Sequence, residues 1–169
     1  MTAEMGYVTE TDARLAAWDL FLETQGTLLC RLERELHAEC GLPLTWYAVL
    51  LRLHDAPDRR LRMQELVGPL MITKSGITRL VDRMVAAGLI ARTTCPSDRR
   101  GAFASLTEAG SATLQQATPI HRRGIYQHFG EHLTDDELRA LTHVLTKLMA
   151  SAPPRHHAPA CLARTWDDS

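Results

Sequence analysis

The stretch Ile72–Leu106, ITKSGITRLVDRMVAAGLIARTTCPSDRRGAFASL, decides the fold. Ile77, Leu80, Val81 and Met84 recur at helical spacing, so one stripe faces a core, while Lys74, Ser75, Thr78, Arg79, Asp82 and Arg83 fall on the opposite side. Thr73 is a suitable N-cap, because its hydroxyl can accept from an otherwise unpaired amide. Gly88 follows Ala86 and Ala87 where a left-handed C-terminal residue is wanted. Alone, such a helix reads as an ordinary solvated amphipathic helix. The next residues change that reading. Leu89 to Thr94 and Ala102 to Leu106 are strand-like runs joined by the turn-rich loop CPSDRRG. From Ile72 to Gly101 six basic residues stand against two acidic ones, in a chain whose formal net charge is -1. A near-neutral total therefore hides a cationic face, carried on a helix and its adjacent hairpin. Serine, threonine and arginine near the start of such a helix can reach phosphates and base edges in a major groove.

The pattern SGITRLVDRM, four residues, GLIAR, then DRRG and SLTEAG resembles the MarR-type winged-helix regulators, bacterial transcription factors. The resemblance runs from about Leu15 to Leu148 and is strongest from Ser75 to Gly110. It implies a mainly α fold with a small β-hairpin wing (α+β), a winged helix-turn-helix flanked by N- and C-terminal dimerisation helices, working as a homodimer on double-stranded DNA. The recognition helix would be Thr73 to Ala87 and the wing Arg92 to Ala104. Ser75, Thr78 and Arg79 match groove-facing positions and Arg99 matches the wing arginine; Asp82 and Asp98 match acidic groups that orient arginines. With their basic and polar neighbours the candidate DNA-binding set is Thr73, Lys74, Ser75, Thr78, Arg79, Arg83, Arg99 and Arg100. Repression is the commoner outcome in such proteins. The resemblance also implies a small, often aromatic or phenolic effector between the dimer helices and the winged motif, for which Trp18, Trp46, Tyr47 and Met71 are candidates; each is better suited to plain core.

Composition agrees with one globular domain, or one domain with a dimerisation extension. Apolar residues make up 45% of the 169, and no apolar run nears the 18 residues of a membrane span. The N-terminus MTAEMGYVTETDA is polar and acidic, unlike a secretory signal. Cys30, Cys40, Cys95 and Cys161 form no CxxC pair, so a reducing cytoplasm is the expected compartment. The expected organisation is a flexible N-terminus over 1–10, a helical dimerisation region over 11–40 and 107–150, a winged helix-turn-helix over 44–106, and a disordered or loosely docked tail over 151–169.

From about Thr11 to Glu39, Leu15, Leu22, Leu29 and Leu36 are spaced by seven, with Trp18 and Leu32 on the same stripe. A heptad this long asks for a partner helix. Near the other end Thr134-Asp-Asp-Glu137 is a capping box opening a second stripe of Leu138, Leu141, Leu145 and Leu148. Between them, Leu44 to His54 is an apolar helix, Ala56-Pro57-Asp58 a turn, Arg60 to Arg62 a short strand able to pair with the wing, and Met63 to Val67 the supporting helix. Gly68-Pro69 departs from the family pattern by interrupting a segment that is normally helical. The helix starting near Thr107 meets Pro119, which should kink or split it, with His121 to His132 as its second half.

Two alternative switches are visible. Cys95 sits beside Arg92, Arg99 and Arg100, and neighbouring cations favour a reactive thiolate; Cys30 is a second redox candidate. His128 and His132 stand four apart, a spacing that lets two imidazoles share a metal ion on a helix, with His121, Cys30, His37 and Glu39 as possible supplements, although QHFGEHL lacks a flanking ligand set. His156-His157 in the tail is a further histidine pair. No cofactor is called for. No glycine-rich phosphate loop, GxSxG or HExxH supports an enzyme. A winged helix serving only for dimerisation or docking is the rival from another class, and would require the basic face to be incidental.

Overall fold

The structure, a computed structural model, describes residues 12–67, 74–95 and 98–151; at 64, 67, 74, 75, 94, 95 and 98–101 only the backbone is described. The order is α1 (Ala13–Cys40), α2 (Leu44–Asp55), β1 (Arg60–Arg62), α3 (Met63–Val67), α4 (Lys74–Ala86), β2 (Ile90–Cys95), β3 (Asp98–Leu106), α5 (Glu108–His128) and α6 (Asp135–Ser151), with single 3-10 turns at Pro57–Arg59 and Gly130–His132. It is a mainly helical fold with one small antiparallel sheet, as expected. The expected N-cap Thr73, the Gly68-Pro69 interruption, Met71, the N-terminal residues 1–11 and the tail 152–169 lie outside the described residues.

The helix ends follow from local chemistry. Asp12 caps α1 by accepting from the Arg14 amide at 2.9 Å. Gly41, with φ 65°, ends it by donating to the His37 carbonyl. Glu33, on α1, reaches across to accept the Leu44 amide at 2.6 Å, so one helix caps the next. The turn at Asp58 and Arg59 uses left-handed backbone angles, φ 56° and 51°. At α6 the capping box forms as read: Glu137 accepts from the Thr134 amide at 2.8 Å, and the Glu137 amide donates to Thr134 Oγ1 at 3.4 Å. The Thr134 amide and then its hydroxyl, both donating to Glu137 Oε2, pull the Glu137 carboxyl below its ordinary pKa.

A single core joins all the layers. Leu36 from α1, Tyr47, Val49, Leu50 and Leu53 from α2, Leu66 from α3, Ile77, Val81 and Met84 from α4, Ile90 and Ala104 from the sheet, and Leu114 and Ala117 from α5 are buried together. The sheet order is β1-β3-β2, with Arg60 opposite Ser105 and Arg62 opposite Phe103. The hairpin is longer than expected: the ladder runs from Ile90–Leu106 to Cys95–Asp98, with a register shift after Thr94, so most of the CPSDRRG segment is strand. Ladder hydrogen bonds outweigh the turn preference of those residues.

The fifth helix is not split at Pro119, and it ends before His132. α5 runs through Pro119 as one helix of 21 residues. Proline here removes one hydrogen bond, and both Pro119 and Gln115, whose carbonyl loses its partner, lie on the exposed side where water can serve. Leu114, Ala117 and Gly124 hold the opposite face in the core. The helix then stops at His128, so His128 and His132 do not share an α-helical face.

α4, the hairpin and α5 meet at one junction. The Gly88 amide bonds the Val85 carbonyl and the Leu89 amide the Met84 carbonyl, the paired bonds of a Schellman ending, with Gly88 at φ 74°. Thr107 donates from its amide to the Leu89 carbonyl at 3.2 Å, its Oγ1 lies 2.8 Å from the Gly88 and Leu89 carbonyls, and it caps α5 by accepting the Gly110 amide at 3.0 Å. A Cβ at Gly110 would overlap the Leu89 carbonyl oxygen and press on Leu106. Gly110→Ala should therefore destabilise the fold by about 2 kcal/mol or more, measured by urea denaturation; an unchanged midpoint would show that the junction has slack.

Candidate nucleic-acid interface

α4 divides as its spacing predicts. Ile77, Val81 and Met84 are fully buried, while Thr78, Arg79, Asp82 and Arg83 are exposed on the opposite face. Arg79 points no carbon-rich stripe at the core, and Thr78 one residue before it shares the open surface. The side chains of Lys74, Ser75, Cys95, Asp98, Arg99 and Arg100 lie outside the described residues; their backbone places the first two at the start of α4 and the others along the hairpin.

Two arginines are held by other groups. Arg92 Nη1, on β2, bonds Asp82 Oδ1, on α4, at 3.1 Å. That contact ties the hairpin to the helix and fixes where one guanidinium stands, the orienting role the family resemblance implies for Asp82. Arg83, expected among the DNA-contacting residues, is exposed and lies over the Trp46 ring of α2, 5.8 Å from its centroid. It links α4 to α2 at the end of the helix remote from Lys74. The sequence reading also missed a cluster on the outer face of the sheet: Arg60 and Arg62 both stand over Phe103, at 5.5 and 5.2 Å. Alternation along β1 opposite Phe103 was the available signal.

Of the expected effector group, Trp18, Trp46 and Tyr47 are described, and they do not converge within the chain. Tyr47 is buried in the core and stacks on His121 of α5, ring centroids 4.3 Å apart; burial there lowers the His121 pKa. Trp46 is half-buried beside Arg83. Trp18 is 56% exposed near the start of α1, 15 residues before Glu33 and so about 22 Å along the axis from the α1–α2 contact. The structure has a different cleft, about 210 Å³, between α1 and α5, lined by Leu28, Leu29, Leu32, Ile125, Phe129 and His128 among others, and none of the three aromatic candidates reaches it.

His128 is engaged elsewhere than the metal reading supposed. Its Nε2 meets Glu35 Oε1 of α1, and next to this pair Arg123 bonds Glu39. Gly124 lies between them, where a Cβ would come within 2.5 Å of Glu35 Oε2 and 2.7 Å of Leu32. α1 and α5 thus approach backbone to side chain beside one arginine–carboxylate pair and one histidine–carboxylate contact. His132 is exposed in the following 3-10 turn. Among the described residues no group of three or more His, Cys, Asp or Glu side chains could hold a metal ion. Cys30 is exposed, and Cys40 Sγ lies 3.1 Å from the Leu36 carbonyl.

A three-stranded sheet edge-packed on a short supporting helix and a polar-faced second helix, with a hairpin beside it, is a winged helix-turn-helix. Comparison with known proteins agrees. A sequence model of the MarR family matches residues 41–101. The HTH-type transcriptional regulator MhqR of Bacillus subtilis is 30% identical over 117 residues, 69% of this chain and 79% of MhqR. The multiple antibiotic resistance protein MarR of Escherichia coli is 32% identical over 85 residues, half of this chain, and the chain spans 59% of its length. The crystal structure of Sco3205, a MarR family transcriptional regulator from Streptomyces coelicolor, in complex with DNA, has a TM-score of 0.78 at 32% identity, covering 88% of this chain and 97% of that one. The chain belongs to the MarR family of winged-helix transcriptional regulators. No helix among the described residues is long and apolar enough to cross a membrane.

The Arg92–Asp82 pair is exposed on both sides, so its role is positional more than energetic. Asp82→Asn should change stability by less than about 1 kcal/mol by thermal melting. Exchange broadening or hydrogen-exchange rates in β2 should nevertheless rise; unaltered hairpin protection would dismiss the tether.

Proposed function

We propose that this chain is a sequence-specific DNA-binding transcriptional regulator, acting as a homodimeric repressor on a palindromic operator and modulated by a small molecule. The observation that carries the DNA reading is the open face of α4. Thr78 and Arg79 stand there free of the core, next to a hairpin whose Arg92 is pre-set by Asp82, and the surrounding segment is strongly cationic in a chain of net charge -1. Residues 44–106 form the DNA-binding unit in this reading, with Thr73, Lys74, Ser75, Thr78 and Arg79 at the major groove and Arg99 and Arg100 at the flanking minor groove. A narrow A·T-rich stretch there would deepen the negative potential that draws the wing arginines.

The homodimer reading is supported by unburied apolar surface. Leu15, Trp18, Leu20 and Phe21 on α1, Ile125 and Tyr126 on α5, and Val144, Leu145, Leu148 and Met149 on α6 are all exposed. α6 has no buried residue, although its leucine stripe is well formed. The heptad of α1 is fully buried only toward its C-terminal end, at Leu32 and Leu36, while Leu22 and Leu29 are half-buried and Leu15 and Trp18 exposed. A second copy is the occupant that matches two terminal helices on each chain. Two-fold pairing then sets two recognition helices on one face of a duplex, with half-sites about 10 base pairs apart.

A gel-shift titration against the DNA upstream of the chain's own gene tests the reading, with salt-sensitive and sequence-selective binding expected. Arg79→Ala should cost roughly 1–3 kcal/mol and relax the preference at one base position. Lys74→Ala should weaken binding to all sequences and flatten the salt dependence. Equal affinity for operator and random DNA in the wild type would overturn the regulator assignment. For assembly, Leu145→Glu with Leu148→Glu should convert a dimer to monomers in sedimentation; a dimer that survives both would place the interface elsewhere.

A further inference from the structure

We propose that Arg52 positions the helix-turn-helix by giving the end of α3 the hydrogen bond that Pro69 withholds. In an α-helix each carbonyl accepts from the amide four residues on. The Glu65 carbonyl would therefore take the amide of residue 69. Residue 69 is proline, which has no amide proton whatever backbone it adopts. α3 accordingly ends at Val67, after five residues, in a segment where the family pattern continues helical. The missing donor comes from another helix. Arg52, on α2, donates from Nη2 to the Glu65 carbonyl at 3.0 Å.

Arg52 stands there at a cost. It is half-buried, and its Nε is enclosed with no hydrogen-bond partner. An alkyl side chain at this position would avoid that loss. What the guanidinium supplies, and an alkyl chain cannot, is a donor for one of the last carbonyls of a neighbouring helix. α2 is a firm post from which to supply it, because Val49, Leu50 and Leu53 are buried in the core.

The effect on α4 follows from how little else holds α3. A helix of five residues closes few bonds of its own and is not stable alone. Three tethers set its course. Glu65 Oε2 accepts the Arg62 amide at 2.6 Å at the front, Leu66 is buried in the core, and Arg52 holds the back. Without the last, α3 is pinned at its front and middle only, and the end from which the chain goes on to α4 can swing about Leu66. α3 also packs directly on α4. Arg52 is thus a positioning residue, acting through α3 on the angle at which α4 presents Thr78 and Arg79. That consequence rests on the DNA-binding reading proposed above; the compensation of Pro69 by Arg52 does not.

A double-substitution cycle on the full chain tests it. The two readouts are amide hydrogen exchange over Met63–Val67 and gel-shift affinity for the DNA upstream of the chain's own gene. Arg52→Met keeps an unbranched apolar stem and removes the donor. It should speed exchange and weaken DNA binding by roughly tenfold each, with thermal melting confirming that the variant is folded at the assay temperature. Pro69→Ala restores an amide four residues after Glu65. In that background Arg52→Met should change both readouts by less than about twofold. Arg52→Lys, which keeps a donor on a stem of similar length, should retain most of the affinity. A stabilising role unconnected with Pro69 predicts the same loss in both backgrounds, and that result would overturn the proposal, as would Arg52→Met without effect in the parent chain. Should Pro69→Ala not fold, the lysine variant decides: equal losses for Arg52→Met and Arg52→Lys overturn it. The two readings fail separately. Coupled exchange in a chain with no selective DNA binding removes the regulator assignment and leaves the compensation. Selective DNA binding without coupled exchange removes the role of Arg52. Coupled exchange with a DNA affinity that Arg52→Met leaves unmoved removes the positioning of α4.

Discussion

The winged motif depends on the carbonyl oxygen of Leu89. It receives the Thr107 amide, lies within reach of the Thr107 hydroxyl, and stands against a residue at 110 that has room for no side chain. The end of α4, the residue leading into β2, the residue following β3 and the first turn of α5 therefore share one set of hydrogen bonds. Moving any of the four means breaking bonds at the other three. In a fold where the polar face of α4 has to keep a fixed relation to the hairpin beside it, this junction provides the fixed point, and Asp82 with Arg92 provides a second, softer one further along the strand.

Electrostatics around α4 is arranged by pairing more than by abundance. A chain with 19 basic and 20 acidic residues has no surplus charge to spread. Asp82 fixes Arg92, Trp46 fixes Arg83, and the Phe103 ring lies under Arg60 and Arg62. Arginine suits this use because its flat, permanently charged group stacks on rings and still presents donors at its edge. The consequence is a surface on which several guanidinium groups have restricted positions, so less side-chain entropy is lost when they meet a partner.

Much of this was legible in the amino-acid order, because the strongest local signals agree with the tertiary outcome. Gly88, Thr107 and the Thr134–Glu137 box act through their own backbone neighbours, so the ends they predict are the ends that form. The stripe of Ile77, Val81 and Met84 is buried as its period requires. β1 was legible from position alone, since Arg60–Arg62 sits between a turn and the supporting helix. The failures have a common cause. Pro119 was weighed by its local cost, yet burial of Leu114 and Gly124 on either side outweighs one lost hydrogen bond at a wet position. His128 was paired with its neighbour four residues on, while its true partner, Glu35, is 93 residues away. The hint was present in α1, where Glu35 falls between Leu32 and Leu36 on the buried side of an otherwise charged run. Trp46 and Tyr47 were both offered as effector contacts, but neighbours in a helix point about 100° apart, and these two serve different contacts.

α6 carries a further meaning. A helix of 17 residues with no buried side chain and a row of aliphatic groups open to water is not self-sufficient, since short isolated helices are marginal in water. Whatever shields that row contributes to the free energy of the folded chain itself. Under the proposed pairing with a second copy, stability is partly a mass-action quantity, rising with the amount of material present in the way expected when folding and association are linked. Substitutions that look superficial on a single chain, along Val144 to Met149, would belong energetically to its interior.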